Sequence, residues 1–161
     1  MIILGIDPGT AAIGYALLDS AHSVRIIEAG LVRIRSKVQK ERIQELYTGL
    51  TDIIGKYTPD VCAIERLFFV KNVKTGIAVA ESRGVILLTA AQADLSIYEY
   101  TPLEIKQAVV GYGRAEKNQV QQMVKMLLQL DFVPQPDDAA DALAVAICHA
   151  HSARYEQLSQ E

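Results

Sequence analysis

Hydrophobic and polar positions alternate along the chain in two ways, which predict five strands and five helices. Short runs of apolar, often β-branched residues are typical of strands, and they lie at residues 2–7, 13–19, 24–34, 61–65 and 95–100. Longer segments with apolar residues at helical spacing predict helices at residues 38–57, 72–92, 102–110, 115–130 and 137–151. The first three strands follow one another closely, as in an antiparallel meander, whereas a helix precedes the fourth strand and favours its parallel pairing with the first. The pattern therefore predicts an α/β fold around a five-stranded mixed sheet flanked by helices.

The helix at residues 72–92 differs from the others because it is apolar on more than one face. Such a helix is usually either sandwiched between layers of the fold or buried in a subunit interface. Both arrangements stay open at this point.

Asp7 ends the first strand, and the turn formed by Pro8 and Gly9 follows it directly. An ionised carboxylate after a buried strand is costly unless a cation or hydrogen-bond donors compensate its charge. The alternative is structural, because an aspartate before such a turn often bonds to the backbone of the turn itself.

The fourth strand repeats this pattern, since its apolar run ends on Glu65. If the strand lies parallel to the first, Glu65 and Asp7 emerge at the same edge of the sheet. The alternative is that Glu65 pairs with the neighbouring Arg66 at the surface.

Three acids begin the last helix. Asp138 and Asp141 stand three positions apart and therefore share one helical face, where their like charges repel each other. A divalent cation such as Mg²⁺, which prefers carboxylate oxygens, would relieve this repulsion. Asp137 fits an N-cap after Pro136, although the spacing alone does not exclude a pair formed by Asp137 and Asp141.

Together these acids predict a metal centre. Four carboxylates that meet at one edge of a sheet cannot all stay ionised without a cation, and two cations about 3.5–4 Å apart suit in-line phosphoryl displacement. The set comprises Asp7, Glu65, Asp138 and Asp141. Hydrolysis of a phosphodiester is the reaction that this arrangement favours.

Aromatic and basic residues after the fourth strand leave two interpretations open. Phe68 and Phe69 either fold back into the core or stack on a partner. Lys106 and Lys117 flank a glycine-containing break at residues 111–113, and they are either solvated surface lysines or phosphate contacts.

Composition adds limits to this picture. The chain has 161 residues, of which 50% are hydrophobic, so we expect one folded domain over residues 1–151 and a polar tail over residues 152–161. No apolar run could span a bilayer and no signal peptide is evident, which predicts a cytoplasmic protein. Cys62 and Cys148 are expected to be reduced, buried thiols.

The distribution of charge is uneven. The net charge of −3 argues against a nucleic-acid-binding protein when it is taken over the whole chain. Residues 66–125, however, carry eight basic and five acidic side chains, a local net charge of +3. This excess is either a binding face or a chance distribution.

Over nearly its full length the sequence resembles the RuvC-type Holliday-junction resolvases, which have a ribonuclease-H-like fold. The matching stretches are GIDPGT at residues 5–10, AIE at 63–65, FFVKN at 68–72, VVGYGRAEKNQV at 109–120 and DAADALAVAICHAH at 138–151. The order and spacing of these stretches are family-like throughout, which makes the resemblance more specific than any single motif.

The resemblance implies a role for each candidate residue. The implied catalytic metal ligands, for two Mg²⁺ or Mn²⁺ ions per subunit, are Asp7, Glu65, Asp138 and Asp141. Phe68 is similar to the aromatic residue that wedges against bases near the crossover, and Lys106 and Lys117 are similar to lysines that contact the scissile region. The family works as a homodimer with the RuvA and RuvB branch-migration proteins in DNA recombination and repair, and makes paired symmetric nicks.

Three other functions stay open from the sequence. The loop formed by Asp7, Pro8, Gly9 and Thr10 also resembles the first phosphate loop of actin-like ATPases, although those proteins need two lobes and 161 residues provide one. A junction-binding protein without catalysis would use the acids only structurally. A nuclease of the same fold that acts on structured RNA is the third alternative.

Overall fold

A computed structural model describes residues 1–66 and 73–158 of the chain. Its strands are β1 (Ile2–Asp7), β2 (Ala12–Asp19), β3 (Arg25–Arg33), β4 (Val61–Glu65) and β5 (Ser96–Tyr100). Its helices are α1 (Gln39–Tyr57), α2 (Val73–Gln92), α3 (Pro102–Val110), α4 (Lys117–Leu127) and α5 (Asp137–Leu158). The strands form one sheet in the order β3-β2-β1-β4-β5, antiparallel from β3 to β1 and parallel from β1 to β5. The predicted five-stranded mixed sheet is confirmed.

The bounds of α4 and α5 differ most from the predicted ones, and α4 ends at Leu127 and not at residue 130. Helix α4 begins at Lys117 and not at residue 115, because Glu116 is the N-cap and its backbone N–H donates to the Gln119 side chain at 2.8 Å. Helix α5 continues to Leu158, well past the predicted end at residue 151. No glycine or proline occurs in residues 152–158, so nothing in that segment stops the helix.

Helices cover both faces of the sheet, and alternate residues of each strand contribute to two separate hydrophobic clusters. On one face Leu4 and Ile6 of β1 pack with side chains of α1 and α2. On the other face Ile3 packs with side chains of α3, α4 and α5. Helix α5 is the most buried, since Ala139, Ala140 and residues 142–148 are each at most 1% exposed. This burial explains why the helix is apolar on all sides from Ala142 to Cys148.

Two glycines let α5 approach the middle of the sheet. A Cβ atom on Gly5 of β1 would lie 2.4 Å from the Ala142 carbonyl oxygen, and one on Gly14 of β2 would lie 1.9 Å from the Asp138 carbonyl oxygen. Both distances are far below van der Waals contact, so any other residue at either position would force the backbone of α5 away from the sheet. Gly14 is also the register partner of Asp7, and the contact therefore seats the first turn of α5 beside the end of β1.

Other features of the described residues agree with the sequence. Cys62 and Cys148 are buried and not bonded to each other. No helix within residues 1–66 and 73–158 has the length and apolar character needed to cross a membrane.

Helix α2 buries Ile86 against the sheet but leaves Ile77 58% and Leu88 55% exposed, so the sheet and α1 cover only part of its apolar surface.

Candidate metal centre

The carboxyl ends of β1 and β4 place Asp7 and Glu65 side by side. The two strands are parallel neighbours, and Ile6 pairs with Ile64 immediately before the acids. The carboxyl groups of Asp7 and Glu65 are within hydrogen-bonding reach of each other, and this contact contributes to a raised pKa of Asp7. Arg66, the alternative partner for Glu65, instead forms an ion pair with Glu99 at 3.4 Å.

Helix α5 brings two more acids to the same place. One carboxylate oxygen from each of Asp7, Asp138 and Asp141 lies within 4.8 Å of the other two. All three side chains are half-buried. Glu65 is outside this group of three, but it contacts Asp7 directly and its charge interacts with that of Asp141. The four acids that the sequence predicts to converge are therefore neighbours in the structure.

The acids disfavour one another's ionised forms. Burial, the negative charges of Glu65, Asp141 and Asp138, and the hydrogen bond to Glu65 together raise the pKa of Asp7 to about 8. Burial also raises the pKa of Glu65 and of Asp141, although nearby lysines partly oppose the rise. A bound cation would remove this penalty, and a donor set made only of carboxylate oxygens fits a hard divalent cation such as Mg²⁺ or Mn²⁺.

Two lysines border the acids. Glu65, Lys106, Lys117 and Asp141 line one cleft with a volume of about 190 Å³. The Lys117 Nζ atom lies 2.9 Å from Asp141 Oδ2, and this hydrogen bond raises the pKa of the lysine. Both lysines therefore lie beside the acids, and their contact with phosphate stays a prediction. Phe68, the third predicted DNA contact, lies outside the described residues.

Asp137 does not have the predicted N-cap role. The backbone N–H of Ala140 donates to the carbonyl of Pro136 at 3.3 Å, so Pro136 precedes the first helical turn. The Asp137 side chain points towards α4, where Oδ2 lies 3.3 Å from Lys117 Nζ and Oδ1 accepts a hydrogen bond from Gln121 Nε2 at 3.1 Å. Sequence reasoning missed this contact. The available signal is Lys117 itself, because a cation in the first turn of a helix opposes the helix dipole and needs acidic partners.

The mixed sheet, with acids gathered at the ends of β1 and β4 and against the last helix, is of the ribonuclease-H-like class. Within that class, the chain belongs to the crossover junction endodeoxyribonuclease RuvC family, whose sequence model matches residues 3–149. The resemblance described from the motifs is confirmed, and the actin-like ATPase alternative is excluded.

Relatives match the chain over nearly its whole length. It is 55% identical to the crossover junction endodeoxyribonuclease RuvC of Halothermothrix orenii, covering 96% of this chain and 94% of the relative. It is 52% identical to that of Alkaliphilus metalliredigens, covering 98% of each. The structure of Thermus thermophilus RuvC in complex with a Holliday junction substrate superposes with a TM-score of 0.91 at 31% identity, covering 97% of this chain and 96% of the other.

A distant structure shares the fold alone. The yeast mitochondrial Holliday junction resolvase Ydc2 superposes with a TM-score of 0.72 at 14% identity, covering 96% of this chain and 80% of that protein. The fold is therefore kept when most of the sequence differs.

Proposed function

We propose that this chain resolves four-way DNA (Holliday) junctions in homologous recombination and DNA repair by making paired symmetric nicks. The observation that carries the proposal is the convergence of four acids, two of which, Glu65 and Asp141, line a cleft together with two lysines. Membership of the crossover junction endodeoxyribonuclease family and the likeness to a relative in complex with a Holliday junction substrate support the substrate.

Asp7, Glu65, Asp138 and Asp141 are the proposed metal ligands and catalytic residues. Mg²⁺ is the proposed ion, with Mn²⁺ as an alternative, and we propose two per subunit. Bound in this way, such ions support in-line displacement at phosphorus that leaves a 5′-phosphate and a 3′-hydroxyl. Asp7 contacts Glu65 and also belongs to the group formed with the two acids of α5, so we assign it to both ions.

The lysines have a different proposed role. Their ammonium groups supply positive charge at the rim of the cleft that the acids line, and phosphate oxygens of DNA are the ligands that such groups bind. We therefore assign Lys106 and Lys117 to the DNA strand near the scissile phosphate. Phe68 keeps its predicted role as the residue that stacks on bases near the crossover.

The proposal includes partners. A homodimer presents two equivalent sites to two strands of a junction, and the exposed Ile77 and Leu88 of α2 offer an apolar surface for its interface. We also propose that the protein works with the RuvA–RuvB branch-migration complex and that it is located in the cytoplasm with the DNA.

A synthetic junction separates this proposal from the two alternatives that remain. We expect a mobile four-way junction to be nicked symmetrically in the presence of Mg²⁺, and a linear duplex of matched sequence to stay intact. A junction-binding protein without catalysis would shift the junction in a gel but never cut it. A nuclease for RNA would cut structured RNA in preference when both substrates compete.

The raised pKa of Asp7 predicts how stability depends on pH. The pKa of Asp7 is about 8 in the folded protein, against an ordinary value of 3.8, so unfolding releases a proton at pH values between these two. The contribution of Asp7 to the free energy of unfolding therefore falls as the pH rises from about 4 to about 8. Adding Mn²⁺ is expected to raise the melting temperature more at pH 8 than at pH 6, because the ion must displace the proton at the lower pH.

Calorimetric melting of the wild type and of Asp7→Asn at several pH values checks this expectation. The variant lacks the titrating group, so its melting temperature should depend less on pH across this range. An identical pH profile for the two proteins would contradict the prediction.

A further inference from the structure

Lys117 has two acidic partners on α5, and they differ in kind. Its Nζ atom lies 2.9 Å from Asp141 Oδ2 and 3.3 Å from Asp137 Oδ2. Asp141 belongs to the group of three acids whose oxygens gather within 4.8 Å, and Asp137 does not. One ammonium group is thus shared between a proposed metal ligand and a residue outside the metal centre.

Both oxygens of Asp137 are directed at one face of α4. Oδ2 pairs with Lys117, and Oδ1 accepts the hydrogen bond from Gln121, which stands four positions further along the same helix. The side chain of Asp137 is 54% exposed, so burial does not force this orientation. The contacts with α4 are what hold it.

An ammonium group and a divalent cation compete for Asp141. Each favours the charged carboxylate, and their like charges repel when both are close to it. The Lys117 ammonium group is stabilised by an acidic partner, because Lys117 is the first residue of α4, where the helix dipole disfavours a cation. A second carboxylate within reach of Nζ resolves this conflict.

We propose that Asp137 is a positioning residue that, with Gln121, holds the Lys117 ammonium at the cleft and leaves Asp141 available to bind a divalent cation. This inference rests on the proposed function, since it takes Asp141 as a metal ligand. Asp137 itself contacts neither the ion nor the DNA strand in this arrangement. It acts through Lys117.

Calorimetric titration of the full chain with Mn²⁺ alone tests the proposal. Asp137→Asn keeps the size of the side chain and its bond from Gln121 but removes the charge that holds Lys117. Lys117 then depends on Asp141, and we expect Mn²⁺ to bind roughly two- to fivefold more weakly, the range that one exposed ion pair supports. Asp52→Asn makes the same charge change on α1, across the sheet, and should leave Mn²⁺ binding unchanged.

A double-mutant cycle separates this role from the loss of a nearby negative charge. Lys117→Gln removes the competing ammonium group, so it should strengthen Mn²⁺ binding even though it slows nicking. In that background Asp137→Asn should have no further effect. The same two- to fivefold loss in the background of Lys117→Gln would show an effect through space and overturn the proposal.

Gln121→Ala provides a second route that changes no charge. It removes one of the two contacts with α4 that orient the Asp137 carboxylate, and we expect Mn²⁺ binding to weaken in the same direction as in Asp137→Asn. Unchanged affinity in both variants would overturn the proposal, and melting curves would show whether either variant is less stable. If the wild type bound no Mn²⁺, the proposed function would fail; if it bound Mn²⁺ and cut junctions while both variants matched it, only this inference would fail.

Discussion

Replacing Asp7 with asparagine is expected to slow the nicking of a four-way junction by more than about 100-fold. A loss of about 100-fold is the upper range for residues that only hydrogen-bond to a metal ligand, and Asp7 is proposed as a ligand itself. Asp7 contacts Glu65 and lies with Asp138 and Asp141 in one group of oxygens, so its charge affects the whole centre. Binding of the junction should stay close to that of the wild type, because affinity for DNA comes mainly from phosphate contacts. Single-turnover cleavage and gel-shift measurements in Mg²⁺ check both expectations.

Stability provides the control for this variant. Asparagine removes a half-buried carboxyl group whose ionised form Glu65, Asp141 and Asp138 oppose, so without added metal the melting temperature should rise at pH 8. Loss of activity in a more stable protein cannot be attributed to unfolding. Cutting at a normal rate would show that the proposed metal centre is wrong, and Asp52→Asn should cut as fast as the wild type.

The acids at the strand ends could be predicted from the sequence because local and topological rules agree there. Asp7 and Glu65 each end an apolar strand, and the helix between those strands favours a parallel pair. A parallel pair places both carboxyl ends at one edge, so the contact follows without any knowledge of the packing. The three-residue spacing of Asp138 and Asp141 adds the shared helical face in the same way.

The contacts of Asp137 could not be predicted in this way, because they depend on where another helix begins. The pattern of apolar residues places the start of α4 near residue 115, whereas the helix begins at Lys117. Lys117 is recognised as a cation at a helix N-terminus, where acidic partners stabilise it, only when this start of α4 is known. The N-cap interpretation of Asp137 used local preference alone, and the contact with α4 overrode it.

The role of Gly14 is likewise visible only in the packed structure. In the sequence it is one small residue in a predicted strand, and several glycines in the chain have similar surroundings. Its importance comes from the backbone of α5, which lies against β2 at the first turn of the helix. Contacts between elements so distant along the chain leave no periodic signal.

Gly14→Ala is therefore expected to damage the centre without touching an acid. The new Cβ atom would lie 1.9 Å from the Asp138 carbonyl oxygen, so the first turn of α5 must move away from β2 and carry Asp138 with it. Overpacking of this kind costs about 1–3 kcal/mol of stability. A displacement of about 1 Å can lower a rate by about 100-fold, and we expect nicking to fall by that order. Urea denaturation and cleavage assays measure the two effects.

Gly55→Ala is the matched control, because a Cβ atom at Gly55 meets no atom within 4 Å. Gly55 lies in α1, where alanine is favoured over glycine by about 0.5–1 kcal/mol, so this variant should be slightly more stable and fully active. If Gly14→Ala is folded and cuts junctions like the wild type, the packing of α5 on β2 does not determine the position of Asp138. Loss of nicking in the folded Gly14→Ala protein, with Gly55→Ala unaffected, would instead mean that the distance of α5 from the sheet controls the metal centre.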